Sequence, residues 1–346
     1  MNFLHRHPRL VGPILIALSI TMTGLGLLAL DLYYHHKHSK SAGTNYRGYR
    51  GEVLGKKGPN EFRIFVLGGS TAFGYGVGPY DSIPAHLERI VQSRISNEDK
   101  TVRVINLAYN NESAVCFADT LKYYDYLEPD AVIFYSGYND NPTMTLYRKA
   151  KDCFRNQSWT FRTAGYLPIL PLVAKERYYI LRYGSVGDGY REAHARQKRG
   201  YMRAWYKRAV KAMPPPPFEP LGMKSAIDYG DQVQALDKYL GVINRTTNDL
   251  YGRGVGVIYV TQPYLSRDSY HFLQQKNIRH LFQSYSGYKH FQYVNLGDIF
   301  TQGKLKEYAY DGMHLTKEGN EAIAYALLEP TLWMIKTLRP DWNIIF

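Results

Sequence analysis

Apolar residues run along this chain in short blocks separated by helical patterning. Phe62–Leu67, Val102–Leu107, Ala131–Ser136, Val255–Val260 and Phe291–Leu296 are brief apolar runs of strand length. Helical spacing follows near Ile83–Ile95, Ser113–Leu127 and Gln232–Leu250, and a last helix is expected from about Lys317 to Thr337. Strands alternating with helices predict an α/β domain, a central parallel sheet covered on both faces. In such sheets, sites form beyond the carboxyl ends of the strands. Before this pattern begins stands a different one: Leu10–Leu30 is 21 residues without a charge, the length that crosses a bilayer as a helix. Arg6 and Arg9 precede it, and no clear small-x-small cleavage site follows closely. It is read as an uncleaved transmembrane anchor, with a cleaved signal peptide as the competing reading.

Between the third strand and the helix near Gln232 the alternation stops. Residues 145–211 hold 16 Lys and Arg against four Asp and Glu, which is +12 of the chain's net +13. Met202, Trp205, Tyr206, Ala209, Val210 and Met213 fall at helical spacing, while Arg199, Arg203, Lys207 and Lys211 line another face. A basic amphipathic helix ended by Pro214–Pro217 is expected. It lies on an anionic membrane surface, caps an acidic glycan or lipid headgroup, or is a lid helix with a solvated basic face. No nucleic-acid-binding motif accompanies the charge, so no nucleic-acid partner is expected.

Composition changes the picture little. With 346 residues and 45% apolar content, the chain can build one large domain with an insertion, or two domains. Thirty-two tyrosines suit half-wet surfaces such as sugar clefts and membrane interfaces, or reflect habit alone. Cys116 and Cys153 form one bridge if the domain is exported, or remain two thiols. His35, His36 and His38 read as a solvated flank of the apolar stretch rather than a metal site, and no metal or cofactor is expected. Thr261-Gln262-Pro263 ends a strand and reaches toward the rim of a site, with no chemistry assigned.

The candidate chemistry sits past the strand ends. Ser70 follows Leu67-Gly68-Gly69 after the first strand, Ser136-Gly137-Tyr138-Asn139-Asp140 follows the third, and Asp311-Gly-Met-His314 lies near the C-terminus. Serine is a poor nucleophile at neutral pH; it needs a base to take its proton and an acid group to hold that base. The Asp-x-x-His spacing lets one turn present both to a single point. Asn139 has an amide N–H to aim at a developing oxyanion.

These three ordered blocks resemble the GDSL/SGNH serine hydrolases. Gly68-Gly69-Ser70-Thr71 stands where that family has Gly-Asp-Ser, Gly137-Tyr138-Asn139-Asp140 matches its Gly-x-Asn-Asp, and Asp311-Gly-Met-His314-Leu-Thr matches its last block. One block departs: Val104-Ile105-Asn106-Leu107-Ala108-Tyr109-Asn110-Asn111 places Asn111 where the family has the glycine whose N–H enters the oxyanion hole. Asn tolerates left-handed dihedrals, so the backbone donor is retained. The Asp-to-Gly change at position 69 is read as touching no catalytic role.

The resemblance implies a three-layer, flavodoxin-like SGNH fold and a catalytic set of Ser70, His314 and Asp311. The implied oxyanion hole is made of the Ser70 N–H, the Asn111 N–H and the Asn139 side chain. Hydropathy, charge and the motif positions together give the expected limits: a flank at 1–9, an anchor at 10–33, a linker at 34–58 and a hydrolase domain at 59–340 with the basic insertion at 145–220. Membrane-anchored bacterial members suggest an exported domain, although positive charges flanking both sides of the anchor, counted naively, favour a cytoplasmic one. The expected function is a serine esterase or deacetylase acting on an O-acyl ester, with an envelope carbohydrate as the favoured substrate. The alternatives are a glycan O-acyltransferase with the same triad and a non-catalytic scaffold that binds an acidic polymer through the insertion. The expected partners are the ester substrate and the membrane, through Leu10–Leu30 and the helix around Arg199–Met213.

Overall fold

The computed structural model describes residues 8–38, 43–185, 189, 192, 229–265, 269–300 and 305–346. The expected basic helix at Arg199–Met213 lies outside the described residues. Two compact units are present: residues up to 37 together with 168–226, and 38–167 together with 227–346.

In the first unit a single helix, α1 (Pro8–His38), carries the apolar stretch. Val11–His38 is long and apolar enough to cross a membrane by length and composition. The helix continues through the histidines. His35 is buried and pairs with Asp31 one turn earlier at 3.4 Å, rather than standing in solvent as its flanking position suggested.

The second unit is built on β1 (Glu61–Gly68), a one-turn helix α2 (Ser70–Phe73), α3 (Ile83–Gln92), β2 (Thr101–Asn106), α4 (Phe117–Tyr124) and β3 (Ala131–Ser136). Short helical turns at Pro142–Tyr147, Phe154–Gln157 and Trp159–Ala164 follow. Then α5 (Leu170–Tyr183), in the first unit, precedes the return to the second through α6 (Tyr229–Gly252), β4 (Gly256–Thr261), α7 (Ser269–Gln283) and β5 (Phe291–Asn295). Two helices close the chain, α8 (Lys317–Ala326) and α9 (Leu328–Leu338). In the first unit, Asp31 Oδ1 accepts the N–H groups of Ile169 and Leu170 at 2.9 and 2.7 Å, capping the start of α5 with the acid at the end of the apolar stretch.

The five strands pair in the order β2-β1-β3-β4-β5, all parallel. Period-2 alternation splits their side chains between two apolar layers. Phe62, Ile64 and Val66 of β1 pack with Ile83, Leu87 and Val91 of α3, Ile323 of α8 and Leu332 and Ile335 of α9. Phe65 and Leu67 face the other way, onto Phe117 and Leu121 of α4, Ile243 of α6 and Ile278 and Phe282 of α7. Helices on both faces make the three-layer α/β fold that the sequence pattern predicts.

Two differences from the sequence reading have local causes. The expected final helix is two, broken at Leu327, because Pro330 has no N–H to return to the Ala326 carbonyl. Helix α7 was not expected: the first half of its inward face holds His271, Gln274 and Gln275, and the apolar positions Ile278 and Phe282 follow only beyond them. The two cysteines are joined, Cys116 to Cys153, with Cα atoms 5.7 Å apart.

Candidate active site

Ser70 opens α2 immediately beyond the β1 end, after two glycines that leave room for their neighbours. A Cβ on Gly68 would overlap the Tyr135 carbonyl, and one on Gly69 would overlap Asn139 Nδ2. Position 69 therefore does bear on a candidate catalytic group, contrary to the sequence reading: Asn139 fills the space that a side chain there would need. The far end of α2 is held by polar groups. Arg50 donates to the carbonyls of Phe73, Gly74 and Val77, the last two at 2.7 Å, and Asn106 Nδ2 donates to Phe73 O at 3.2 Å. These bonds satisfy the helix carbonyls that α2 leaves open. They also give Asn106, in the second motif block, a structural task.

Asp311 and His314 share one turn. Asp311 Oδ1 accepts the N–H groups of Met313 and His314 at 2.7 and 2.6 Å, and its Oδ2 lies 2.7 Å from His314 Nδ1. The other ring nitrogen, Nε2, lies 2.9 Å from Ser70 Oγ, across 244 residues of sequence. Burial alone would raise the Asp311 carboxyl; the bonds from the His314 ring, the His314 N–H and the Met313 N–H outweigh it and hold the acid below its usual range. An ionised carboxylate only accepts, so Nδ1 carries the ring proton and Nε2 presents its lone pair to the serine hydroxyl. Thr316 caps α8 through Gly319 N at 3.1 Å, which fixes the exit of the turn. Two tyrosines, each about half exposed, flank the imidazole: Tyr75 with ring centroids 4.9 Å apart, and Tyr310 nearly parallel at 5.8 Å.

Asn139 lies beyond β3, and its Nδ2 donates to Glu112 O at 3.0 Å. Asn111 adopts a left-handed φ of 59°, as a residue in the place of the family's glycine must. The two loops are tied by Asp140, whose Oδ1 accepts Ala114 N–H at 2.8 Å. Burial pushes the Asp140 carboxyl up to about 7, against the lowering effects of that bond and of Arg148. Underneath lies an ion pair with no signal in the sequence. Arg155, one of many bases in the interruption, is buried; it meets both oxygens of buried Glu112 at 3.0 and 3.1 Å and donates to Leu107 O at 2.7 Å. Ser70, His314 and Asp311 thus stand in one hydrogen-bonded row, with Asn139 against the Ser70 turn and Asn111 in the adjoining loop.

A Ser–His–Asp row at the carboxyl edge of a parallel sheet is the geometry of a serine hydrolase. The chain belongs to the GDSL-like lipase/acylhydrolase family, which matches residues 66–322, and is an SGNH-type acylhydrolase. No curated protein sequence matches it. Similar solved structures include an acetylxylan esterase from Geobacillus stearothermophilus, at 11% identity over 80% of this chain and 94% of that one, with a TM-score of 0.41. A two-domain esterase active on acetylated mannans is 12% identical over 80% of this chain and 50% of its own, with a TM-score of 0.42. A lipase from a goat-rumen metagenome is 11% identical over 77% and 95%, with a TM-score of 0.42.

Proposed function

We propose that this chain is a membrane-anchored serine esterase that removes an O-acyl group, acetyl foremost, from a cell-envelope carbohydrate. The observation that carries the reading is the row Ser70 Oγ, His314 Nε2, His314 Nδ1, Asp311 Oδ2, with links of 2.9 and 2.7 Å. His314 takes the Ser70 proton as the oxygen attacks the ester carbonyl, and Asp311 stabilises the imidazolium that forms. The tetrahedral oxyanion is received by the Ser70 N–H, the Asn111 N–H and the Asn139 side chain. Collapse breaks the ester C–O bond; His314 returns the proton to the departing sugar hydroxyl. Water, deprotonated by His314, then attacks acyl-Ser70; the acyl–Oγ bond breaks, His314 returns the proton to Ser70 Oγ, and the acid is released. Asn139 suits its role because one amide hydrogen goes to Glu112 O and fixes the group, leaving the second for the oxyanion.

Carbohydrate is favoured by the half-exposed phenol rings of Tyr75 and Tyr310 beside the base, since amphipathic rings accept the apolar face of a sugar. Residues 10–33 form the anchor, and the catalytic domain spans 59–340 around the insertion at 145–220, joined by the segment 34–58, whose Tyr49 and Arg50 pack into that domain. An exported domain is supported by the Cys116–Cys153 bridge, because disulfides persist in oxidising compartments. A periplasm-active reporter fused to the C-terminus that stays inactive overturns that orientation. The chemistry is tested by intact mass of the full-length chain in detergent after fluorophosphonate treatment. One adduct on the wild type and none on Ser70→Ala is expected; no adduct on folded wild type refutes the mechanism. Product analysis with acetylated glycan then separates water from a second sugar hydroxyl as acceptor.

A further inference from the structure

We propose that Gln262 is a positioning residue of this site: its side-chain amide clamps the turn that carries Ser70 to the loop that carries Asn139. The proposal rests on the catalytic reading just given. Gln262 is the first residue beyond β4 and is 2% exposed. Its Oε1 accepts the Tyr138 N–H at 2.7 Å, and its Nε2 donates to Thr71 Oγ1 at 2.7 Å. Thr71 is the neighbour of Ser70, and Tyr138 is the neighbour of Asn139. The orientation of the amide is not arbitrary. A backbone N–H only donates, so the oxygen must face Tyr138 and the nitrogen must face Thr71.

The place of this clamp argues for its purpose. The β3–β4 ladder ends at Ser136 and Thr261, and the β1–β3 ladder ends at Gly68 and Tyr135. Past those pairs the sheet no longer fixes one strand's continuation relative to the next, and that is where nucleophile and oxyanion donor stand. Gln262 spans the gap from the end of β4, past the loop after β3, to the helix after β1. It is itself held: its backbone oxygen accepts Gln275 Nε2 at 3.3 Å, and Gln274 Nε2 donates to Asp140 O at 3.2 Å. His271 stacks on Tyr138 with ring centroids 4.1 Å apart. Gly137, with φ +151°, leaves room for this packing: a Cβ there would lie 3.1 Å from Gln262 Oε1, Gln274 Oε1 and His271 Cε1 alike. The buried polar face of α7 is thereby explained as the backing of the clamp. A buried carboxamide costs stability unless both ends are bonded, and a fully bonded one specifies a single geometry.

The test uses the full-length chain in detergent and hydrolysis of p-nitrophenyl acetate. Gln262→Met keeps the length and removes both bonds. It is expected to lower kcat by roughly 10- to 100-fold, since a misplacement of about 1 Å costs on that order, with KM within about threefold of wild type. Thr71→Val should lower kcat and add nothing when combined with Gln262→Met; Thr71→Ser, which keeps the acceptor, should recover that loss. A folded Gln262→Met with kcat within about twofold of wild type, or additive losses in the double variant, overturns the proposal. Should Gln262→Met not fold, the Thr71→Val and Thr71→Ser pair decides: no loss in the first, or no recovery in the second, is equally fatal. Absence of Ser70-dependent hydrolysis in the wild type defeats the catalytic reading itself, and the clamp with it, and is recognisable because it needs no Gln262 variant.

Discussion

Gly69→Ala should displace Asn139, one donor of the proposed oxyanion hole, without replacing it. The backbone at Gly69 has φ −91° and ψ −154°, which alanine adopts without strain. The obstacle is steric and local: the new methyl would overlap Asn139 Nδ2, the far end of a side chain, whereas the next obstacle, Glu112 O, lies 3.2 Å away. The amide has to retreat by more than about 1 Å to reach ordinary van der Waals contact. A donor set at about 2.7–3.1 Å from an oxyanion is then moved toward 4 Å, beyond hydrogen-bonding reach. Losing one such donor costs on the order of 10²–10³ in kcat, or roughly 3–4 kcal/mol of transition-state stabilisation. The assay is p-nitrophenyl acetate hydrolysis by wild type, Gly69→Ala, Asn139→Ala and the double variant, with thermal unfolding beside it. Gly69→Ala should match Asn139→Ala in kcat, and the double variant should be no worse than either, because both remove the same bond. The Tm should fall only slightly, since a side chain rather than backbone yields. A Gly69→Ala enzyme with near-wild-type kcat, or losses that multiply in the double variant, would refute the reasoning.

Other expectations follow from the same geometry. The Asp140 carboxyl is raised by burial from 3.8 to about 7, so the native state holds the extra proton between those values, and stability falls as pH rises across that window. Asp140→Asn, which keeps the acceptor for Ala114, should therefore match wild type near pH 4 in urea unfolding. Near pH 8 it should exceed wild type by a few kcal/mol; an equal pH slope in the two proteins would disprove the assignment. Arg155→Met strands a buried Glu112 and should cost about 3–5 kcal/mol by denaturant titration; a loss under 1 kcal/mol would show the pair to be dispensable. The Cys116–Cys153 bridge closes a separation of 37 residues, so its removal by paired serines should cost up to about 4 kcal/mol on the chain-entropy account. No Tm difference between oxidised and reduced protein would argue that the bridge does not form.

What the sequence makes legible follows the physics of each part. The sheet is legible because its strands are short and mostly apolar, β3 and β4 being buried along their whole length, and Ser70, Asn139, Asp311 and His314 are legible as candidates because each sits at a turn whose chemistry is local. Asp311 shows this well: its own turn supplies all three hydrogen bonds that keep it ionised. Asn111 is legible for a similar reason, since a left-handed position admits few residues. What stays hidden is whatever acts across the sheet. Arg155 looks like any other base in a charged interruption, and its burial against Glu112 depends on how the segment after β3 folds back. Gln262 looks like a loop residue, and its two bonds reach residues 124 and 191 positions away. The part of α7 that backs it is polar, so apolar periodicity is confined to the second half of the helix, at Ile278 and Phe282. The same separation governs the catalytic set. The reacting groups are specified locally, but the distances between them are set by buried polar side chains that bridge loops from different strands. The motif blocks name the candidate reacting atoms; the bonds that tie their loops together come from residues outside those blocks. It follows that a variant at Gln262, outside every motif block, should lower the rate while each motif residue stays intact.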